Sequence, residues 1–239
     1  MKYIDLSLSA PPENLACDEA LLDLCEEGYE DEILRFWESP EHFVVVGYAN
    51  NVSKEANLDA CRAANIPVLR RLSGGGTVLQ GPGCLNYSVI LRIPESGPLA
   101  TISGTNNFIL EKQKSALAPL IGREIRLAGS TDLAIGDLKF SGNAQRRKRK
   151  FLIFHGTLLL KFNVTLIEKY LQMPSKQPEY REGRAHTGFL TNLNLDAHSV
   201  KQAIQNEWKA KEPLQNVPKG KIEELARTKY SKEEWNFKF

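Results

Sequence analysis

No apolar run in this 239-residue chain reaches the roughly 18 residues that a membrane-spanning helix needs. The N-terminal stretch MKYIDLSLSAPPENLACDEALL alternates but has no apolar signal core, so a cytoplasmic protein with no membrane partner is expected. Cysteine is sparse. Cys17, Cys25, Cys61 and Cys84 form no CxxC pair and no Cys/His cluster, which points to structural thiols in a reducing compartment and leaves no metal ligand to assign. An excess of one charge is missing as well. With 31 Lys and Arg against 29 Asp and Glu, the net charge of +2 gives no overall pull toward nucleic acid, and any electrostatic partner must be recognised by a local patch. No internal repeat, low-complexity tract or long linker divides the chain, so residues 1–239 are expected to form a single domain.

What is present is an interleaving of strand and helix patterns. YIDLSLSA alternates like a strand, and PENLACDEALLDLCEEG reads as a helix with proline near its start and Gly28 as its stop. EILRFWES and EHFVVVGYA read as strands, the second apolar enough for a sheet interior. NVSKEANLDACRAANI predicts a short helix with Ser53 as its N-cap. VLRRLS, TVLQ and CLNYSVILRI follow as strands, then a helix over 105–121 ended by Gly122 and the strand EIRLAG. DLAIGDLKFSGNAQRRKRKFLIFHGTLLLKF predicts antiparallel strands with a tight turn at Gly136-Asp137 and a basic hairpin tip. The last 75 or so residues read as polar helices broken by proline. The fold class this implies is α+β, a central mixed or antiparallel sheet flanked by helices.

RRLSGGGTVLQGPGCLNYSVIL, residues 70–91, holds five glycines between two strands. A phosphate-binding P-loop requires Lys-Ser/Thr after its last glycine, and here Thr77-Val78 follows. A dinucleotide fingerprint leads from a strand into a helix, whereas SGGGTVLQGPG leads from a strand into a strand. What remains is a backbone open to close approach, with exposed N–H groups able to form an anion nest and Arg70 and Arg71 at its entrance.

Two further segments carry chemistry. In TDLAIGDLKFSGNAQ, Lys139 stands in an alternating strand directly before a second Ser-Gly pair, Ser141-Gly142. In FHGTLLLKF, His155, Gly156 and Thr157 open an apolar strand. If the two Ser-Gly segments face one another, they floor one polar pocket suited to a phosphate-bearing ligand.

In this order, RRLSGGGTVLQGPGCLNYSVIL, STDLAIGDLKFSGNAQRR and FHGTLLL resemble the catalytic domain of the lipoate–protein ligase A family, within the biotin/lipoate ligase superfamily; VVVGYANN and GFLTNL match it too. The resemblance implies a catalytic domain like that of biotin ligases and class II aminoacyl-tRNA synthetases. It also implies ATP, carried with Mg2+, and lipoate as substrates, activated to lipoyl-AMP. The lipoyl group would then pass to a lysine of a lipoyl domain of a 2-oxoacid dehydrogenase or of the glycine-cleavage H protein. Carried over residue by residue, Arg70, Ser73, Gly74, Gly75, Gly76, Thr77, Gln80 and Asn86 would line the lipoyl-adenylate. Lys139 would bind the carboxyl and phosphate oxygens at the reacting centre, and Asp132, Ser141, Gly142, Ala144, His155, Gly156 and Thr157 would complete the pocket. No residue presents itself as a base for the acceptor lysine.

The chain departs from the family in three places. Gln80 stands where histidine is more usual, and Cys84 where a polar residue is usual. An accessory domain of about a hundred residues, common in the family after the catalytic one, is expected to be missing or supplied as a separate protein. The alternative is an octanoyl or lipoyl transferase working through a cysteine thioester; such enzymes place that cysteine just before the lysine strand, where this chain reads LAGSTDLAIGD. A third reading is a non-catalytic binder of lipoate or lipoyl domains, to which a lysine at the reacting carbonyl would be of no use. The basic run Arg146, Arg147, Lys148, Arg149 and Lys150 is expected at a hairpin tip near the pocket, where it would steer an acidic lipoyl domain rather than bind nucleic acid.

Overall fold

The strands form where the apolar runs and alternations stand, and the computed structural model describes residues 1–239. They are β1 (Lys2–Asp5), β2 (Ile33–Trp37), β3 (Phe43–Val46), β4 (Val68–Arg70), β5 (Val78–Gln80), β6 (Cys84–Arg92), β7 (Arg126–Ala128), β8 (Asp132–Ile135), β9 (Leu138–Arg147), β10 (Phe151–Leu159) and the short β11 (Glu212–Pro213). The helices are α1 (Pro11–Glu26), α2 (Val52–Glu55), α3 (Leu58–Ala63), α4 (Ile102–Ile121), α5 (Thr165–Tyr170), α6 (His186–Phe189), α7 (Ala197–Glu207), α8 (Lys219–Leu225) and α9 (Glu233–Asn236). None of them is long and apolar enough to cross a membrane.

Eight strands make one mixed sheet in the order β11-β1-β2-β6-β10-β9-β8-β7, and β4-β3-β5 make a second. Pairing is parallel at the β11-β1-β2 edge and antiparallel through the centre. Both faces of the large sheet are covered, as the near-continuous apolar strands require. On one face Leu34, Val89 and Phe154 pack with Ile109 and Leu117 of α4 and with Val200 and Ile204 of α7. On the other, Ile33, Ile90 and Ile153 pack with Leu15, Leu21 and Leu22 of α1 and with Ile222 of α8.

Register decides what the α1 face presents besides apolar groups. Arg35, Ser88, His155 and Ala144 stand opposite one another across β2, β6, β10 and β9. The next row on the same face runs Trp37, Asn86, Thr157, Gly142 and Asp132, reaching β8. Two polar rows thus cross the middle of an otherwise apolar layer.

The expected hairpin of β9 and β10 formed, and Gly122 ends α4 in the left-handed conformation at φ 63°. The start of α4 lies at Ile102, three residues before the expected 105, because Thr101 caps it by accepting the Gly104 N–H at 3.1 Å, and α1 ends at Glu26, just short of Gly28. Another element splits. NVSKEANLDACRAANI folds as two short helices rather than one, because Ala56 is extended and Asn57 starts the second by accepting the Ala60 N–H at 3.2 Å. Ser53 lies inside the first helix and caps neither; its hydroxyl donates to Asn51 Oδ1 at 2.7 Å.

Candidate active site

The polar rows open into a cavity of about 420 Å³ between the large sheet, the glycine-rich segment and the chain from Leu171 to Leu190. One end is apolar, walled by Leu15, Trp37, Val45 and Val78. The other is polar, with the side chains of Lys139, Asp132, Arg71 and Arg181; those of Ser141 and Asn143, bonded to each other, lie on the far face of the sheet. Trp37 Nε1 and Thr77 Oγ1 are both buried without a hydrogen-bond partner, and both residues line the cavity, so a bound ligand can satisfy them.

Lys139 is the cation placed at its centre. Its Nζ donates to Asp132 Oδ1 at 2.8 Å, and Asp132 Oδ2 accepts the Tyr180 hydroxyl at 2.8 Å. Burial and the facing Asp132 carboxylate push the Tyr180 phenol up, so it stays a donor. The Lys139 side chain lies across Gly142, where a Cβ would come within 2.8 Å of Nζ. A glycine at 142 is therefore what lets the ammonium reach over the floor.

The two Ser-Gly segments do face one another. Gly75 adopts φ +85°, favourable only for glycine, and a Cβ there would touch Ala144 at 3.4 Å. Arg71 holds this loop in shape. Its Nε donates to Ser73 Oγ at 3.0 Å, and its Nη2 to the carbonyls of Gly74 and Gly76. Burial draws the guanidinium down to about 10, which leaves it a cation at neutral pH.

Gln80, Asn86 and Thr157 close a ring of hydrogen bonds in the cavity wall. Gln80 Nε2 donates to Thr157 Oγ1 at 2.7 Å, Thr157 donates to Asn86 Oδ1 at 2.7 Å, and Asn86 Nδ2 donates to Gln80 Oε1 at 3.0 Å. The unusual Gln80 is thus satisfied by its neighbours. Gly156 carries Asn143 on the far side of the sheet; Asn143 Oδ1 accepts the Tyr87 hydroxyl at 2.6 Å and its Nδ2 donates to the Thr131 carbonyl at 2.7 Å.

Several expected site residues stand elsewhere. The Arg70 guanidinium is fully buried and turned away from the cavity. It donates to the carbonyls of Gly47, Tyr48, Asn50, Trp235 and Asn236, tying β4 to α9 and to the loop after β3, while Arg71 takes the cavity position. Ser73 and Gly74 sit behind the cavity wall rather than on it, Ser73 under His155. The basic run does not reach the cavity. Lys148 pairs with Asp23 of α1, Glu26 accepts the N–H groups of Lys150 and Phe151, and Arg147 donates to the carbonyls of Leu99 and Ala100. Three pairs of strand register separate Ala144 from Arg147, and the tip is spent on anchoring the hairpin to α1.

The cysteines are all unpaired and buried, and none lines the cavity. Burial pushes the thiols up, Cys17 to about 11 and Cys25 to about 12, and Cys84 further still. Cys84 Sγ faces the Leu79 carbonyl at 3.9 Å in an apolar cluster.

The structure adds residues that the motifs did not supply. Asp18 of α1 is 1% exposed and accepts from His155 Nδ1 at 2.9 Å. Its sequence signal was a carboxylate at helical spacing with Leu15, Leu21 and Leu22 on the apolar face. Arg181, Tyr180 and His186 come from a segment with no motif at all. Its contacts are long-range, Ser175 to Glu55 and Tyr180 to Asp132, and local pattern carries no trace of them.

Fold and cavity together define a catalytic domain of the lipoate ligase and transferase kind, an enzyme. The chain belongs to the lipoyl protein ligase A/B catalytic domain family, whose sequence pattern matches residues 10–209. It is 35% identical over 155 residues to a putative lipoate-protein ligase A from Aeropyrum pernix, a match covering 63% of this chain but only 54% of that relative. It is 29% identical to an octanoyltransferase LipM from Geobacillus kaustophilus, across 99% of this chain and 98% of that one. The fold superposes with a TM-score of 0.84, at 22% identity, on a bi-partite lipoate protein ligase studied with its E2 lipoyl domain from Thermoplasma acidophilum, covering 99% and 95% of the two chains.

Proposed function

We propose that the chain is an ATP-dependent lipoate–protein ligase, forming lipoyl-AMP and passing the lipoyl group to a lysine of a lipoyl domain or glycine-cleavage H protein. The observation that carries this reading is the Lys139 ammonium, fixed over a glycine floor in a cavity from which every thiol is absent. Activation builds negative charge on the carboxyl oxygens and the α-phosphate. A cation already held in place meets that charge without reorganisation. Arg71 and the N–H groups of the glycine loop add to the same field. The leaving group is AMP, so no protein nucleophile is required. The apolar end, closed by Trp37 and Leu15, suits an eight-carbon acyl chain.

Magnesium enters with the nucleotide in this reading. The cavity carboxylates Asp132 and Glu55 are already bonded, to Lys139 and Tyr180 and to Ser175, which suits an ion carried by phosphates better than one caged by protein. A separate accessory subunit, a cytoplasmic setting and a single catalytic domain over 1–239 belong to the same proposal.

A second reading, acyl transfer from an octanoyl carrier, is favoured by the full-length similarity to an octanoyltransferase. The buried thiols, pushed up by desolvation, speak against a cysteine thioester. Incubation with apo lipoyl domain, read by mass shift, separates the two. The ligase needs ATP and free lipoate, with or without a candidate accessory protein. Modification by octanoyl carrier protein without ATP, and none with ATP and lipoate, would refute the ligase.

A further inference from the structure

Every carboxylate that lines the cavity already faces a cation. Asp18 pairs with Arg35 at 2.7 Å, Asp132 pairs with Lys139 at 2.8 Å, and Glu55 stands close enough to Arg71 to act on its guanidinium. Arg181 is the buried cation left over. It is 4% exposed, and no carboxylate is among the groups that act on it; burial first, and then the like charge of Arg184, hold it below the usual arginine range. Of its five N–H groups, the one on Nε goes to the Arg184 carbonyl at 3.0 Å. Nη2 meets only the Met173 sulfur at 3.5 Å, a weak acceptor, and Nη1 donates to nothing in the protein. A buried charge in this state is costly unless a ligand brings the opposite charge.

The fold holds this cation beside the reacting centre. Arg181 ends a single 3-10 turn, Glu179–Arg181, and Glu182 and Gly183 follow in the left-handed region at φ 52° and 68°. That reversal brings Arg184 back under the turn, where its side chain donates to the carbonyls of Tyr180 at 2.6 Å and Arg181 at 3.0 Å. The Phe189 ring lies against the Arg181 guanidinium, with its centre 4.8 Å from Cζ. Tyr180, the preceding residue, gives its hydroxyl to the same Asp132 that pairs with Lys139. Burial lowers the His186 imidazole, and both Arg181 and Lys139 lower it further, so the two cations flank one small region of the cavity.

We propose that Arg181 is the pyrophosphate-holding residue, its free N–H groups taking the β- and γ-phosphoryl oxygens of the nucleotide while Lys139 meets the α-phosphate. The inference rests on the ligase reading and deepens it. A planar fork of donors matches phosphoryl oxygens two at a time, which an ammonium group does not. In the activation step a carboxylate oxygen of lipoate bonds to the α-phosphorus, and the bond from that phosphorus to the oxygen it shares with the β-phosphorus breaks. Pyrophosphate leaves with the electron pair, and no proton moves. The charge that builds on it is met by a cation with no other anion to give up.

The test uses inorganic pyrophosphate with magnesium. Isothermal titration should show it binding the wild type, and Arg181→Met, which keeps the apolar stem, should bind it about tenfold or more weakly. Arg181→Lys keeps the charge without the fork and should fall between the two. Reverse turnover from preformed lipoyl-AMP and pyrophosphate should show the same rise in KM for pyrophosphate. Transfer from preformed lipoyl-AMP to apo lipoyl domain should stay within about threefold in both variants, because the adenylate has neither a β- nor a γ-phosphate. Failure of the wild type to make lipoyl-AMP from ATP and lipoate would sink the ligase reading, and the titration would still decide whether Arg181 holds pyrophosphate. Equal pyrophosphate affinity in the wild type and Arg181→Met would overturn the inference. So would a loss of lipoyl transfer in Arg181→Met as large as its loss of pyrophosphate binding.

Discussion

Lys139→Met keeps the length of the side chain and removes its charge, so it tests the reacting centre with little change of shape. The ammonium now sits 2.8 Å from Asp132 and is about a quarter exposed. One fixed donor at a developing oxyanion is worth about 3 to 4 kcal/mol, or about 10²- to 10³-fold in rate. The fold should lose far less, because a partly exposed ion pair contributes about 1 kcal/mol or less and Asp132 keeps the Tyr180 hydroxyl. Gly142→Ala supplies the control: its Cβ would fall 2.8 Å from Nζ, so the charge remains but is displaced. We expect Lys139→Met to slow pyrophosphate release in a single turnover by about 10²-fold or more, and Gly142→Ala by about tenfold, with both melting within a few degrees of the wild type. Adenylate formation by Lys139→Met within threefold of the wild type would refute the reasoning.

Arg70→Met should weaken the fold rather than the chemistry: it strands five carbonyls, those of Gly47 and Asn236 buried and the other three half-buried, and should cost about 3 kcal/mol or more, lowering Tm by about 6–12 °C. A melting point within 2 °C or so of the wild type would contradict that role. Cys84→Ser should keep acyl transfer to within a few-fold, and a thioester trapped on Cys84 in the wild type would revive the transferase. Asp18, held below its unfolded value, contributes stability that is full above about pH 4 and fades as pH falls through its folded value. The wild-type Tm should therefore fall on acidification below about pH 4, and Asp18→Asn, less stable at pH 7, should fall less steeply. Reversing the charge of Arg149, which makes no ion pair, should leave KM for the lipoyl domain nearly unchanged. A severalfold, salt-sensitive rise in KM would restore a steering role to the hairpin tip.

Local pattern determined a good deal of this protein. Alternation and apolar runs set the central strands, Gly122 set the end of α4, and the Gly-Asp pair set the β8–β9 turn, because each depends on neighbours in sequence. The motifs also singled out Lys139, the glycine loop and His155, which the fold brings to one cavity, since glycine and lysine inside strands are costly enough to stand out. Tertiary structure alone decided which of two adjacent arginines faces the cavity: Arg70 meets the carbonyls of α9, residues 235 and 236, and Arg71 meets the loop it shapes. It decided that Lys148 is neutralised by Asp23, leaving the basic tip away from the site. It also put Asp18 beneath His155, across 137 residues of sequence. Strand register and helix packing bring such groups together, and neither is written in the residues near them.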